Sequence, residues 1–135
     1  MLYGTNTFLA MSQGYSILQQ NGHYGPYALV LQTIPYADAY APVLGLVITA
    51  DRIKPLVDAG FYGTGTLVSN APPTEPAFTG LLLSVEGNSM DLVVGHDATA
   101  AFMQEDPDGN FRFRILERFA LRLKDFTAVI RLEFQ

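Results

Sequence analysis

The side chains best suited to catalysis in this sequence are its two histidines. His96 is followed directly by Asp97 and lies near Asp91, and a carboxylate can orient an imidazole for proton transfer. Neighbouring residues of a strand, however, project to opposite faces of a sheet, so this pair is poorly placed to work together. We interpret it as a turn that follows residues 92–95, and we predict neither catalysis nor metal binding there.

The other histidine, His23, lies in the glycine-flanked segment Asn21-Gly22-His23-Tyr24-Gly25. A zinc site there would have to recruit distant carboxylates, because no second histidine occurs at ligand spacing. The chain has no cysteine, which removes disulfides, thiolate nucleophiles and cysteine zinc sites, and which is typical of a reducing compartment. The sequence therefore predicts no metal site and no cofactor.

Two further motifs resemble chemical sites but lack the context that such sites need. Gly63-Thr64-Gly65 is similar to part of a phosphate-binding loop, yet no Lys-Ser or Lys-Thr follows it. Ser84 and Ser89 do not lie in the sharp strand-to-helix turn of a nucleophilic serine. We therefore predict that the protein is not an enzyme.

A long stretch of alternating residues is the most informative pattern. Between Phe111 and Lys124 the odd positions are mostly apolar, whereas the even positions hold four arginines and a lysine. Period-two alternation indicates one strand with an apolar face and a basic face. The basic face could contact phosphate or RNA, but the phenylalanines are confined to the opposite face, so no aromatic residues lie among the arginines to stack on bases. We favour a solvated face, or one paired with acidic groups of a neighbouring subunit.

The elements that position these residues begin with helices. A helix is predicted from Asn6 to Gln20, capped by Thr5 or Asn6 and closed by Gly22. We then expect a turn at Gly25-Pro26, a buried strand at Tyr27–Leu31, and short helices at Pro35–Tyr40 and Arg52–Ala59, the second capped by Asp51.

The second half of the chain is predicted to consist of strands. Besides Phe111–Lys124, we expect strands at Thr66–Val68, Thr79–Val85, Met90–Val94, Ala98–Met103 and from Ala128 to the end. Pro72–Pro76 is expected to be an exposed loop, Glu86–Ser89 the turn of a hairpin, and Asp106–Gly109 a further turn. The fold class is therefore α+β, with helices followed by an antiparallel meander.

Ala41–Ala50 is apolar but fits neither the helical nor the strand period. A buried core strand is our first interpretation of it. The alternative is an exposed apolar loop that meets copies of itself around a symmetry axis.

Length and composition limit the remaining possibilities. The 135 residues are enough for one domain. No stretch approaches the roughly 20 apolar residues of a membrane-spanning helix, and the N-terminus lacks a signal peptide's positive region, so we expect a cytoplasmic protein. A net charge of −5 argues against a dedicated nucleic-acid binder. With 49 % hydrophobic residues, the chain has either a thick core or a surface that meets another subunit.

Three segments, in order along the chain, resemble encapsulin shell proteins, which are bacterial nanocompartment proteins with the HK97-like capsid fold of tailed phages. The first is Gly25–Leu31, preceded by a helix. The second is Met90–Asp97, which is similar to their Asp-x-x-x-Gly-Gln-Asp strand with His96 in place of the glutamine. The third is Ile115–Leu121 followed by Thr127–Ile130, which is similar to the end of encapsulins and of phage major capsid proteins.

The resemblance implies a single capsid-like domain over residues 1–135, with an axial part clustered around five-fold or six-fold axes and a long strand of the peripheral part. By position, a loop would line the pore at the symmetry axis; its residues are Leu44, Gly45, Leu46, Val47, Ile48, Thr49 and Ala50. Because this loop is apolar, we expect a narrow or closed constriction, which Leu46→Asp should open to small ions.

A full shell subunit of that family also has an N-terminal arm, a spine helix and an extended loop, so the resemblance covers only its C-terminal portion. The resemblance implies a structural, self-assembling subunit or fragment that forms pentamers, hexamers or a shell, in a nanocompartment with protein cargo or in a virion. The alternative is a small module of the same fold that binds or modulates a partner enzyme without forming a shell.

Overall fold

The computed structural model describes residues 4–42, 45, 47–68 and 77–134, and in them it contains two separate sheets. The elements in chain order are α1 (Gly4–Gln20), β1 (Tyr27–Gln32), α2 (Thr33–Asp38), α3 (Thr49–Ile53), β2 (Gly60–Thr64), β3 (Phe78–Ser84), β4 (Met90–Glu105), β5 (Phe111–Leu123) and β6 (Val129–Phe134), with short 3-10 turns at Lys54–Leu56 and Phe126–Ala128. This is the α+β class predicted from the sequence. Among the described helices, none is long and apolar enough to cross a membrane.

The first sheet has four strands in the order β2-β1-β3-β6. β1 runs parallel to β2 and antiparallel to β3, and β3 runs antiparallel to β6. Tyr27–Gln32 forms a central strand because its apolar run is buried on both faces of the sheet. The strands of the second half of the chain are antiparallel, as predicted, but they do not form a meander, since β3 pairs with β1 and β6 and not with β4. The parallel β1–β2 pair is joined by a crossover connection that contains α2 and α3.

Helix α1 packs across β3 and β6 and completes the main core with the sheet. Met11 and Leu18 of the helix and Leu29 of β1 are fully buried. Gly14 lies where the helix crosses the sheet, and a Cβ there would come within 3.0 Å of Leu132 Cδ2. The glycine therefore permits close packing, although glycine in a helix costs about 1 kcal/mol relative to alanine.

The two ends of α1 differ in how well the sequence predicted them. At the C-terminal end, the N–H groups of Gly22 and His23 donate to carbonyls of the last turn at 3.0 and 2.9 Å. Gly22 has φ +84°, and this pair of hydrogen bonds is a Schellman motif, so the predicted role of Gly22 is confirmed. The helix begins at Gly4, however, so Thr5 and Asn6 lie within its first turn and do not cap it.

The described residues of the connection between α2 and α3 do not form a strand. Within the described residues, Pro42 and Val47 are exposed, so the interpretation of Ala41–Ala50 as a buried core strand is wrong there. Helix α3 begins at Thr49 with Ile48 at its cap position. Asp51 is therefore inside the helix rather than capping it, and Pro55 limits the helix to fewer residues than predicted.

Strand β2 lies earlier in the chain than the sequence suggests. The predicted strand Thr66–Val68 is wrong, because the strand is Gly60–Thr64. Its residues, Gly-Phe-Tyr-Gly-Thr, show little hydrophobic alternation, and pairing with β1 holds it in place. The predicted loop Pro72–Pro76 lies outside the described residues.

The hairpin predicted around Glu86–Ser89 is also wrong. The strands β3 and β4 flank this turn, but β3 pairs with β1 and β6, whereas β4 pairs with β5. The turn instead carries the chain from the first sheet into the second. Strand β4 then continues through His96-Asp97, which is not a turn, and it unites the predicted strands Met90–Val94 and Ala98–Met103.

The second sheet is a two-stranded antiparallel ribbon, which we call the arm. It consists of β4, with 16 residues, and β5, with 13 residues, joined through Asp106–Gly109. Three register shifts lie between Val94 and Gln104 of β4, at the positions where its surplus residues form bulges. The long strand predicted over Phe111–Lys124 is confirmed, and so is the turn, in which Gly109 has φ +82°.

Candidate functional site

The arm has two faces of different chemistry, because residues that pair across a ribbon project to the same side. On the side that we call the apolar face, Phe113 lies opposite Phe102. On the other side, the arginine face, Arg118 lies opposite His96. The alternation in the sequence predicted both faces of β5, and the pairing extends them onto β4.

The apolar face is uncovered along nearly its whole length. Every residue of β4 from Leu92 to Glu105 is exposed, and in β5 only Leu116 and Leu123 are partly buried. The large apolar side chains of this face are each 47–76 % exposed; they are Leu92, Val94, Phe102, Phe111, Phe113, Ile115, Phe119 and Leu121. At roughly 100 Å² each, they present on the order of 800 Å², more than the roughly 300–600 Å² of the largest patch on a typical monomer.

The contacts within the arm do not bury this surface. The ring of Phe102 lies 6.0 Å from that of Phe111 and 5.8 Å from that of Phe113, between centroids. Each of these rings nevertheless remains more than half exposed. Isolated two-stranded ribbons are marginally stable in water, so burial of the apolar face would stabilise the arm.

At the base of the arginine face one carboxylate pairs with two cations. Arg122 Nε donates to Asp91 Oδ1 at 2.9 Å, and Lys124 Nζ lies 3.1 Å from Asp91 Oδ2. The hydrogen bond from Arg122, with help from Lys124, lowers the pKa of the Asp91 carboxyl to about 2. Both cations at this end of the arginine face therefore have an ion-pair partner, and Asp91 balances one of their two charges.

The middle of the arginine face carries two arginines without an ion-pair partner among the described residues. At its distal end Arg112 Nε donates to Asp106 Oδ2 at 2.9 Å. Between the two ends, Arg114 and Arg118 form no ion pair with any described residue. These two guanidinium groups fit either interpretation made from the sequence, a solvated face or a face for acidic groups of a neighbouring subunit.

His96 and Asp97 do not form an acid–base pair. The Nδ1 atom of His96 lies 2.7 Å from the backbone carbonyl oxygen of Asp97, so the imidazole N–H donates to the backbone and not to the carboxylate. Both residues are exposed, and they lie where the pairing of β4 shifts register. The geometry lacks the convergence of a catalytic dyad.

Three polar side chains surround His23 where the arm leaves the first sheet, and we call these four residues the arm junction. His23 Nε2 lies 2.8 Å from Thr127 Oγ1 and 3.3 Å from Asp125 Oδ2. Its Nδ1 lies 3.4 Å from Ser89 Oγ. His23 and Ser89 are both buried. The arm junction therefore links the end of α1, the chain that enters β4 and the chain that leaves β5.

The hydrogen-bond directions in the arm junction follow from Thr127. Its hydroxyl donates to Asp125 Oδ1 at 2.7 Å, so its oxygen accepts from His23 Nε2–H. Hydrogen bonds from the hydroxyl and the backbone N–H of Thr127 also lower the pKa of Asp125. Ser, His and Asp are the residue types of a hydrolase triad, but Ser89 is only 2 % exposed, so a substrate has no access to its hydroxyl.

Sequence reasoning missed the arm junction and treated His23 as an ordinary turn residue. The partners Ser89 and Thr127 lie 66 and 104 positions away along the chain, so no local spacing connects them. Within the described part of the chain, no group of three or more His, Cys, Asp or Glu side chains could hold a metal ion.

The candidate pore loop is partly exposed and partly buried. Gly45 and Val47 are exposed, and Ile48 is half-buried. Thr49 and Ala50 are buried in the first turn of α3, where Ala50 N–H donates to the carbonyl of Ala39 at 2.8 Å. The remaining members of the loop, residues 44 and 46, lie outside the described residues.

Comparisons with known proteins give matches to encapsulating proteins and to a virus-like particle. A family model, Linocin_M18, described as "Encapsulating protein for peroxidase", matches residues 3–120. The type 1 encapsulin shell protein EncA of Myxococcus xanthus (strain DK1622) is 30 % identical over 127 residues, which are 93 % of this chain and 41 % of that protein. The crystal structure of a virus-like particle from Pyrococcus furiosus matches with a TM-score of 0.67 at 19 % identity, over 90 % of this chain and 49 % of that chain.

The structural match agrees with the HK97-like capsid fold that the sequence resemblance implied. The chain spans about half the length, or less, of the relatives that it matches. The arm and the loop before α3 are thus surfaces on a fold that is known from assembled particles.

Proposed function

The chain belongs to the Linocin_M18 family of encapsulating proteins, and from this premise we propose that it is a structural subunit whose work is association into a shell. Shell proteins are structural rather than catalytic, so the prediction that the protein is not an enzyme is confirmed. The observation that carries the proposal is the uncovered apolar face of the arm, which is stabilised only when another polypeptide covers it.

We propose further that residues 1–135 act as one capsid-like unit with copies of itself as partners. The buried arm junction supports this, because His23, Ser89 and Asp125 tie the arm to the first sheet. The description of the family names a peroxidase as the enclosed protein, and we propose a protein cargo of this kind, held in the cytoplasm.

The loop of residues 44–50 is our candidate for the surface at the symmetry axis. The exposed side chain of Val47 supports a position at the rim of a pore, where an apolar group would restrict the passage of ions. The buried Thr49 and Ala50 support a role in anchoring the loop to α3. A pore of this composition is expected to be narrow or closed to small ions.

The solution mass of the purified chain tests the proposed function. Light scattering over a range of concentrations, with electron microscopy of the same samples, is expected to reveal pentamers, hexamers or larger closed particles rather than the 14.8 kDa monomer. A strict monomer at high concentration would contradict self-assembly. It would favour instead a module that binds or modulates a partner enzyme.

Ion entry into an assembled particle tests the pore loop. We expect Val47→Asp to speed the quenching of an enclosed fluorescent dye by thallium(I) ions, relative to the parent particle, because a ring of carboxylates attracts cations and a charged rim retains water. Val68→Asp is the matched control, since Val68 is also exposed but lies outside the loop. Equal quenching in the parent and both variants would remove the loop from the pore.

A further inference from the structure

The first sheet ends at β6, whose outer edge pairs with no other described strand. The strand order is β2-β1-β3-β6, so β6 has a partner on one side only. All its residues from Val129 to Phe134 pair with β3 in an unbroken register. A regular edge strand presents backbone N–H and C=O groups that can pair with another strand. Because β6 contains neither proline nor glycine, no missing donor or bulge protects this edge.

The two sides of β6 differ in chemistry, because successive residues of a strand face opposite sides of the sheet. Ile130, Leu132 and Phe134 pack in or against the main core. Arg131 and Glu133 project from the other side and are both exposed. Arg131 Nη2 donates to Glu133 Oε1 at 2.9 Å. The edge strand therefore carries one positive and one negative charge, two residues apart on the same face.

A groove lies between α1 and the outer edge of β6. It has a volume of about 150 Å³ and is lined by residues 130–133 of β6 and, from α1, by Ala10, Gln13, Gly14 and Ile17. Ala10 and Gly14 are small, so the helix leaves space beside the edge. Ile17 is 43 % exposed. A strand added to this edge would find room for its side chains in the groove and would cover Ile17.

A second copy of β6 fits this edge in one symmetric antiparallel register. If a two-fold axis perpendicular to the sheet passes beside Leu132, that residue meets its own copy. Arg131 of each copy then lies directly opposite Glu133 of the other, on the same face. Ile130 lies opposite Phe134, and pairs of a β-branched and an aromatic residue stabilise a sheet. The interface thus contains two opposite-charge pairs and two apolar pairs.

The neighbouring symmetric registers place like charges opposite each other. An axis beside Arg131 would bring two guanidinium groups together, and an axis beside Glu133 would bring two carboxylates together. Like charges directly opposite each other destabilise a pair of strands. Exposed ion pairs contribute little to affinity. The backbone hydrogen bonds and the apolar pairs therefore supply the attraction, whereas the charges select the register.

We propose that the outer edge of β6 is an interface between two copies of this chain, which pair antiparallel about a two-fold axis beside Leu132. The two four-stranded sheets become one continuous sheet. The occupant is a second copy because the order of charges at Arg131 and Glu133 is its own complement when the strand is reversed. The inference rests on the proposed function in one respect, namely that copies of the chain associate, and it uses a surface other than the arm.

Exchange of the two charges in the whole chain tests the register. Arg131→Glu places carboxylates opposite each other at both charge pairs, and Glu133→Arg does the same with guanidinium groups. We expect either variant alone to self-associate about tenfold more weakly than the parent, as measured by light scattering over a range of concentrations. An equimolar mixture of the two variants should recover the association of the parent, because every charge then faces its opposite in the other variant.

Amide hydrogen exchange measures the edge itself. The N–H groups of β6 that point away from β3 should exchange more slowly as the protein concentration rises, in the parent and in the mixture but not in either variant alone. Asp58→Arg is the matched control, since it changes the charge as Glu133→Arg does, at an exposed acid that precedes β2 at the other edge of the sheet. It should leave both measurements unchanged. Because Arg131 and Glu133 are exposed, the variants are expected to fold, which circular dichroism checks.

The possible outcomes separate this interface from the proposed function. If the parent associates but neither variant changes its mass or the exchange of β6, self-assembly stands and the β6 interface is overturned. If both variants weaken association and their mixture does not recover it, the charges act within one chain, and the interface is again overturned. Exchange in β6 that is slow at every concentration would show that a segment of the same chain covers the edge, which also overturns it.

Two results bear on both proposals at once. If the parent forms only dimers, and these respond to the charges as stated, the β6 interface is supported and the formation of a shell is contradicted. A strict monomer at high concentration contradicts both.

Discussion

Among single residues, His23 contributes most to the way in which the arm is attached. We expect His23→Leu to lower the free energy of unfolding by about 2 kcal/mol, because the buried Ser89 loses a hydrogen-bond partner and Thr127 loses its hydrogen bond to a buried side chain. Urea denaturation followed by circular dichroism measures the change. His96→Leu is the matched control: this histidine is exposed and bonds only to the adjacent backbone, so its loss should cost less than about 0.5 kcal/mol. Equal losses in the two variants would contradict a structural role for the arm junction.

The pKa of Asp91 provides a second prediction for a single residue. Because the folded-state pKa is lowered to about 2, the Asp91 pair stabilises the fold above the unfolded pKa of about 3.9. That contribution is lost as the pH falls from there towards 2. We expect Arg122→Met to raise the pKa of Asp91, with Lys124 keeping part of the shift. Titration of the carboxyl carbon by NMR measures it, and Arg114→Met, on the same face but not paired with Asp91, should leave it unchanged.

For the elements, the turn of the arm depends on Gly109. This residue has φ +82°, a conformation that costs an L-residue with a Cβ about 1 kcal/mol or more. Gly109→Ala should therefore increase amide hydrogen exchange in β4 and β5 by roughly fivefold, since 1.4 kcal/mol corresponds to about tenfold. Gly87→Ala is the control, because Gly87 has no positive φ and open space around its Cα. Exchange that rises equally in both variants would contradict the prediction.

The two strands of the arm differ in how far the sequence could predict them. Strand β5 keeps strict alternation from Phe111 onward, and its bounds were predicted to within one residue. Strand β4 contains the register shifts, which break the period and made residues 95–97 look like a turn. The hairpin at Glu86–Ser89 failed for another reason: turn residues indicate that a chain reverses, not which strand it joins afterwards.

The sequence predicted one part of the candidate site and missed another. The apolar face of β5 followed from the sequence alone, because it needs only the period of a strand. The arm junction did not, because Thr127 and Ser89 reach His23 only through the topology of two sheets.

For the whole molecule, the composition indicated excess apolar surface but not its location. Residues 1–51 contain no basic residue. The largest uncovered apolar surface among the described residues lies on the arm, which also holds most of the arginines. Alternation explains this, since a ribbon can be apolar on one side and charged on the other.

Self-association of the whole chain should respond to Glu117. Glu117 is the middle residue of β5 and lies exposed among the apolar side chains of that face of the arm. If two arms pack face to face at their centres, the two carboxylates meet, so Glu117→Leu should tighten self-association by about tenfold or more. Light scattering at matched concentrations measures the change. Asp58→Leu removes an exposed acid outside the arm and should have little effect. An unchanged mass for Glu117→Leu would show that two arms do not meet at their centres, whatever their charge.

The unequal lengths of β4 and β5 have a consequence for particle size. Each strand residue advances the chain by about 3.3 Å, so the surplus residues of β4 represent about 10 Å of extra contour. A strip with one edge longer than the other bends towards the shorter edge, and bulges also tighten the twist. If arms line the wall of a closed particle, this mismatch contributes to the radius of curvature of the wall. Deleting a surplus residue such as Gly95 would then change the diameter of the particle. The length of β4 would in this way influence the volume that the particle encloses.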